Sequence, residues 1–273
     1  MKPAAFDYAR PASVPDAVKL LAGEPQAKVL AGGQTLGPML NLRLAQPALL
    51  IDITRIPELA AVTEDTDAVS IGATVTHAAI EDGRVADPTG GFLRRVASGI
   101  AYRAVRTRGT VGGSLAHADP AADWLSCLAA LGAELVIVGG RGRRRAALSQ
   151  FVRGAMETEL SEDEMLVAVR IPRFSPGTRY GFHKICRKAG EFADAIGVAV
   201  HDPERQLTRI AASTATGAPI VLEAPDLHLE RGRLPDTADL QPRLVLAGLA
   251  GDAYDLKLHA IAVRRAIAQV LAA

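Results

Sequence analysis

The sequence has little cysteine, few aromatic residues and no surplus of charge, and each shortage removes a class of function. Cys127 and Cys186 are the only thiols among 273 residues. They are too few for a disulfide framework or for an iron–sulfur cluster held on four thiolates. Any redox group carried here is therefore expected to be organic. Lys and Arg total 31 against 30 Asp and Glu, so no field spans the molecule to attract nucleic acid. The one local basic cluster, residues 141–145, follows Gly139-Gly140 and reads as a solvated hairpin. No run approaches the roughly 18 apolar residues of a membrane span, and residues 1–7 lack the apolar core of a signal peptide. The expected compartment is the cytoplasm, with neither nucleic acid nor membrane as partner.

Hydrophobic residues make up 49% of the chain, enough for a substantial core at this length. Strands and helices alternate early, helices gather in the middle, and a late run of strands ends in one amphipathic helix, which favours α+β over a doubly wound sheet. Ser13 reads as the cap of a helix bearing Val14, Ala17, Val18, Leu20 and Leu21, followed by strands at 28–31 and 48–53. Arg55-Ile56-Pro57-Glu58 reads as a hinge out of a first domain, 1–56. A second domain, 57–173, is expected to hold a strand at 68–73 and a helix from His77 capped by Thr76. A further helix begins at Asp119 or Ala121 and runs to Leu131, before a hairpin of 134–138 with 144–148 and a strand at 164–171. A third domain, 174–273, is expected to be an antiparallel meander of 180–186, 195–201 and 207–214. Leu256, Ala260, Val263, Ile267 and Val270 recur at helical spacing in a helix lying across it.

Two glycine-rich segments carry the functional signal. The first comprises Val29, Leu30, Ala31, Gly32, Gly33, Gln34, Thr35 and Leu36 and follows a strand directly. Its backbone N–H groups can face an anion where no Cβ blocks approach. The second, Thr110, Val111, Gly112, Gly113 and Ser114, has the same small residues and adds hydroxyls. Either segment alone is ordinary turn material. Together they can grip one pyrophosphate from two sides. The first imitates a Rossmann fingerprint, with Asp52 about twenty residues on, but its spacing is Gly-Gly-x-x-x-Gly where Gly-x-Gly-x-x-Gly is required. Asp52 then reads as a turn or cap residue before Thr54. The residues alone leave open a flavin site, a stand-alone FAD-dependent oxidoreductase and a non-redox nucleotide-binding module.

Residues 30–36 and 108–123, the latter reading RGTVGGSLAHADPAAD, closely resemble the FAD-binding medium subunits of molybdenum hydroxylases, the xanthine dehydrogenase and carbon-monoxide dehydrogenase family. The resemblance continues through Ile71-Gly72-Ala73-Thr74, Tyr180-Gly181-Phe182-His183-Lys184 and Gly190-Glu191-Phe192-Ala193, and fades after about Thr216. It implies a PCMH-type FAD-binding fold, vanillyl-alcohol-oxidase-like, in which two small N-terminal domains and a C-terminal domain enclose non-covalent FAD. By the match, the amides of residues 32–36 and 110–114 hold the pyrophosphate, and Asp123 serves the adenosine side. Ile100 and Leu166 give apolar contacts, Lys184 lies at the isoalloxazine edge and tunes flavin electronics, and His117 stands near the cofactor. His77 and Trp124 read as structural. The resemblance also implies partners: a small iron–sulfur subunit with [2Fe–2S] clusters and a large molybdopterin subunit, as a dimer of heterotrimers. Electrons would leave to NAD, quinone or O2. No metal ligand is expected on this chain, and the substrate is chosen elsewhere.

Overall fold

Three sheets and a two-stranded ribbon organise the protein, whose computed structural model describes all 273 residues. The first sheet is formed by β1 (Asp7–Ala9), β2 (Ala27–Leu30) and β3 (Leu49–Asp52), all parallel in the order β1-β3-β2, with α1 (Val14–Gly23) and α2 (Leu36–Asn41) in the connections. Ser13 Oγ accepts the Asp16 N–H at 3.3 Å, satisfying one free donor of the first turn of α1. Val14, Ala17, Val18 and Leu21 are the buried stripe of α1.

The second sheet is antiparallel. It contains β4 (Val62–Glu64), β5 (Ala68–Gly72), β6 (Glu134–Gly139), β7 (Gly142–Ala147) and β10 (Met165–Pro172), ordered β4-β5-β10-β6-β7. A short α3 (Pro57–Ala60) precedes it. Between β5 and β6 the chain inserts α4 (His77–Glu81), α5 (Phe92–Ser98), α6 (Arg103–Arg108), α7 (Val111–His117) and α8 (Asp123–Ala130), while α9 (Leu148–Phe151) and the ribbon of β8 (Val152–Gly154) and β9 (Glu157–Thr158) follow β7. The third sheet, β11 (Arg179–Ile185), β12 (Ala195–Asp202), β13 (Leu207–Ala212) and β14 (Ile220–Glu223), is antiparallel in chain order and is followed by α10 (Thr237–Leu246) and α11 (Ala253–Ala272).

Every residue of β12 is buried because both of its faces are covered. Ile196, Val198 and Val200 point into the large core shared with α5, α7 and α8, and Ala199 points into the core beneath α11, following the two-residue period of a strand. Against α11 the approach is backbone to backbone. A Cβ on Gly181 would lie 1.9 Å from the Ala266 carbonyl oxygen, and one on Gly197 2.3 Å from the Ala262 carbonyl carbon.

Several expectations need correction. The segment 55–58 is not a free hinge: Ile56 and Leu59 are buried in a core that also takes Val14 and Val18 of α1 and Val136, Met165 and Val167 of the second sheet. The helix through Trp124 begins at Asp123, and residues 119–122 form a turn in which the Asp119 carboxylate accepts the Ala121 N–H at 2.9 Å. The basic run 141–145 lies in a hairpin as expected, yet it is engaged in ion pairs. Arg143 pairs with Glu58 at 2.6 Å and Arg144 with Glu164 at 2.8 Å. β1, β4, β8, β9, β14, α3, α5, α6, α9 and α10 have no counterpart among the elements expected from the sequence.

Candidate functional site

The first glycine segment is the turn between β2 and α2. The N–H groups of Gly32, Gly33, Gln34, Thr35 and Leu36 donate to no group of the chain. Leu36 is the first residue of α2, and Thr35, the cap position, offers no side-chain bond. Gly33 holds φ at +71°, a conformation that costs glycine nothing. A Cβ on Gly32 would lie 2.2 Å from the Arg108 carbonyl oxygen, so this glycine permits contact with the backbone leading into the second segment.

That second segment is not a loop but the start of α7. Thr110 caps the helix, its hydroxyl accepting the Gly113 N–H at 3.1 Å. Val111 donates to the Val75 carbonyl and Gly112 to the Ala73 carbonyl, both at 3.0 Å, and Ser114 donates to the Thr110 carbonyl, also at 3.0 Å. Four of the five amides expected to reach a pyrophosphate are thus already spent, which leaves the Thr110 N–H and the Ser114 hydroxyl without a partner in the chain. Gly112 serves packing, since a Cβ there would lie 2.6 Å from the Ala73 carbonyl oxygen. Gly113 stands opposite Ala31, where a Cβ on Gly113 would lie 4.0 Å from the Ala31 Cβ. The two segments therefore meet. Five adjacent unpaired amides on one side, with a hydroxyl and an amide on the other, make a cradle suited to a pyrophosphate.

Farther along, Lys184 on β11 reaches the first turn of α8. Its Nζ lies 3.0 Å from Asp123 Oδ1, donates to Oδ2 at 3.2 Å and donates to the Gly99 carbonyl at 3.0 Å. Both side chains are buried. Burial pushes the Asp123 carboxyl upward against the opposing pull of the Lys184 ammonium. The resemblance assigns Asp123 to the adenosine side and Lys184 to the isoalloxazine edge, and in the fold the two form one ion pair. No residue-type signal pointed to Gly99, because it participates through its backbone. Ile100, half-buried, is the next residue in that turn. Leu166 lies in the core of the second sheet, opposite Ile137 and beside a bulge whose Val167 carbonyl accepts the Ala73 N–H at 2.9 Å.

His77 and Trp124 behave structurally. The Trp124 Nε1–H donates to His77 Nδ1 at 3.0 Å, both rings are buried, and a Cβ on Gly109 would lie 2.9 Å from the His77 ring. Burial first and Arg106 second hold the His77 pKa down at about 4. His117 is half-buried at the far end of α7. Asp52 accepts from the Thr54 N–H at 2.9 Å and from its hydroxyl at 2.6 Å, as a turn residue does. No helix is long and apolar enough to cross a membrane.

Residues 4–174 match the family described as the FAD-binding domain in molybdopterin dehydrogenase. The chain belongs to that family. It is an FAD-binding subunit of the molybdenum hydroxylase class, similar to the caffeine dehydrogenase subunit beta of Pseudomonas sp. strain CBB1, at 36% identity over 82% of this chain and 78% of that one. It is also similar to the nicotine 6-hydroxylase medium subunit of Paenarthrobacter nicotinovorans, 33% identical over 98% of each. A solved chain of carbon monoxide dehydrogenase from Hydrogenophaga pseudoflava superposes on it with a TM-score of 0.85 and 33% identity, covering 100% of this chain and 99% of that one. The FAD subunit therefore carries its third sheet and α11 as part of a shared fold, beyond the stretch that the family description covers.

Proposed function

We propose that this subunit passes electrons from iron–sulfur clusters on a small partner subunit to an external acceptor, with the substrate oxidised at a molybdopterin on a large third subunit. The unpaired amide row at residues 32–36 carries this reading. In it, the row and the Ser114 hydroxyl hold the FAD pyrophosphate, and the carboxylate of Asp123 accepts from a sugar hydroxyl on the adenosine side. Lys184 fixes that carboxylate. All three units, 1–56, 57–173 and 174–273, then contribute: the first gives the amides, the second Thr110, Ser114 and Asp123, the third Lys184. When bound, FAD supplies redox chemistry that takes electrons singly or in pairs. Two cysteines fall short of a cluster's four thiolates, which supports placing the iron–sulfur centres on a partner chain. NAD, quinone and O2 remain the candidate acceptors.

The test is direct. The purified chain is expected to carry FAD that reduction bleaches and denaturation releases. Gln34 is exposed and its amide donates to the Gly32 carbonyl at 3.3 Å. Gln34→Glu sets an anion beside the cradle without entering the core, and is expected to raise the FAD Kd by about tenfold or more through charge repulsion. An unchanged Kd in a titration of the apoprotein would place the pyrophosphate elsewhere.

A further inference from the structure

The turn that follows α5 is held in a shape it would not take alone. Ala101 has φ at +42°, in the left-handed region, where a Cβ crowds the backbone and a residue other than glycine stays only if its surroundings hold it. What holds it is Arg106 on α6. Its Nη1 donates to the Ile100 carbonyl at 2.8 Å and to the Ala101 carbonyl at 3.0 Å. Glu81 at the end of α4 grips the rest of the guanidinium, accepting from Nε on Oε2 and from Nη2 on Oε1, both at 2.8 Å. A planar guanidinium can make this fork and still point its third nitrogen at the turn, which an ammonium cannot do. Arg103 braces the same carboxylate, with Nη1 2.6 Å from Glu81 Oε2. Hydrogen bonds from Arg106 first and Arg103 second outweigh burial and keep the Glu81 carboxyl below its usual range.

The same turn is where β11 and the segment after it meet the second unit. Lys184 Nζ donates to the Gly99 carbonyl at 3.0 Å while it pairs with Asp123. Farther on, Gly190, at φ +86°, lies so close that a Cβ there would stand 2.9 Å from the Ala101 carbonyl oxygen, the atom that also accepts from Arg106. Of three consecutive carbonyls, Arg106 thus fixes those of Ile100 and Ala101, and Lys184 takes that of Gly99. A turn that relaxed at Ala101 would move the seat of Lys184 and of Gly190 together.

We infer that Arg106 is a positioning residue of the FAD site: clamped by Glu81, it holds the 99–101 turn in the shape that seats Lys184 on Asp123. It acts through the turn, and Glu81 acts through it. The inference rests on the reading above that places the Asp123–Lys184 pair at FAD.

The experiment titrates FAD into the full-length apoprotein and follows amide hydrogen exchange of residues 97–103 by mass spectrometry. Arg106→Lys is expected to raise the FAD Kd by about tenfold and to speed exchange in this segment by a similar factor while α11 exchanges as in the parent. Adding Ala101→Gly to that variant is expected to bring the Kd back to within about threefold of the parent, because glycine takes the left-handed conformation without a clamp. Glu81→Gln leaves Arg106 in place with a weaker grip, is expected to act in the same direction, and stands in should Arg106→Lys not fold. The paired change Asp123→Asn with Lys184→Met is titrated alongside. If it leaves the FAD Kd unmoved, the placement of that pair at FAD falls, and the inference with it. If it raises the Kd while Arg106→Lys and Glu81→Gln do not, the positioning role alone is overturned. A Kd raised by Arg106→Lys that Ala101→Gly does not recover also overturns it, since Arg106 would then act by a route other than the turn.

Discussion

Protonating His77 would put a charge into a buried pocket beside Trp124 and near Arg106, and its pKa is accordingly held at about 4. The unfolded chain protonates this ring near its ordinary value of about 6.5. Its neutral form therefore contributes fully above about pH 6.5, and the contribution falls away as the pH drops toward 4, the loss reaching about 3 kcal/mol once both states are charged. His77→Gln, which keeps an acceptor in place for the indole N–H, is expected to remove this slope. Urea denaturation of both proteins at pH 7 and pH 4.5 checks it, and an equal loss in the two would remove His77 as the cause. Lys184 poses the opposite problem. Lys184→Ala leaves the Asp123 carboxylate buried and unpaired, and is expected to cost about 3–5 kcal/mol, read as a lower midpoint of denaturation. Changing both residues together, Asp123→Asn with Lys184→Met, is expected to cost less than the single change.

Two glycines in equivalent-looking sequence have opposite roles once their elements are seen. A Cβ on Gly112, inside α7, would run into Ala73, and Gly112→Ala is expected to destabilise by about 1–3 kcal/mol or more as the helix is pushed off β5. Gly37, inside α2, has nothing within 4 Å, and Gly37→Ala is expected to stabilise by about 0.4–1 kcal/mol. Thermal denaturation of the two variants decides the signs. The same contrast explains what could be read without coordinates. β12 was legible because its apolar run is continuous, and α11 because its stripe recurs at helical spacing. The start of α7 was not, since paired glycines read locally as turn, while the reason for them is a close approach to Ala73 from far along the chain. The contact between Lys184 and Asp123 was equally hidden. Each residue was singled out, but their proximity depends on how β11 lies against α8.

At the scale of the molecule, the glycine segments are brought together by contacts among the units, because Gly32 rests on the backbone at Arg108 and Gly113 faces Ala31. Ile53 and Ile56, buried in one core with Leu59, Val136 and Val167, hold the first unit to the second. FAD is therefore expected to raise the midpoint of thermal denaturation, since a ligand gripped by more than one unit favours the state in which they are docked. A midpoint that does not move with added FAD would mean that the folded chain does not bind it. The backbone contact of α11 with Gly181 and Gly197 has a consequence in time. Residues 179–223 complete their sheet long before residues 253–272 exist to cover it, and at about 5–20 residues per second the nascent protein spends roughly 2–10 s with Ala199, Ile210 and Ala212 lacking the helix that seals them. The last long helix to be made is the lid of this core, and a ribosome that pauses before it leaves an apolar sheet open to whatever else is nearby.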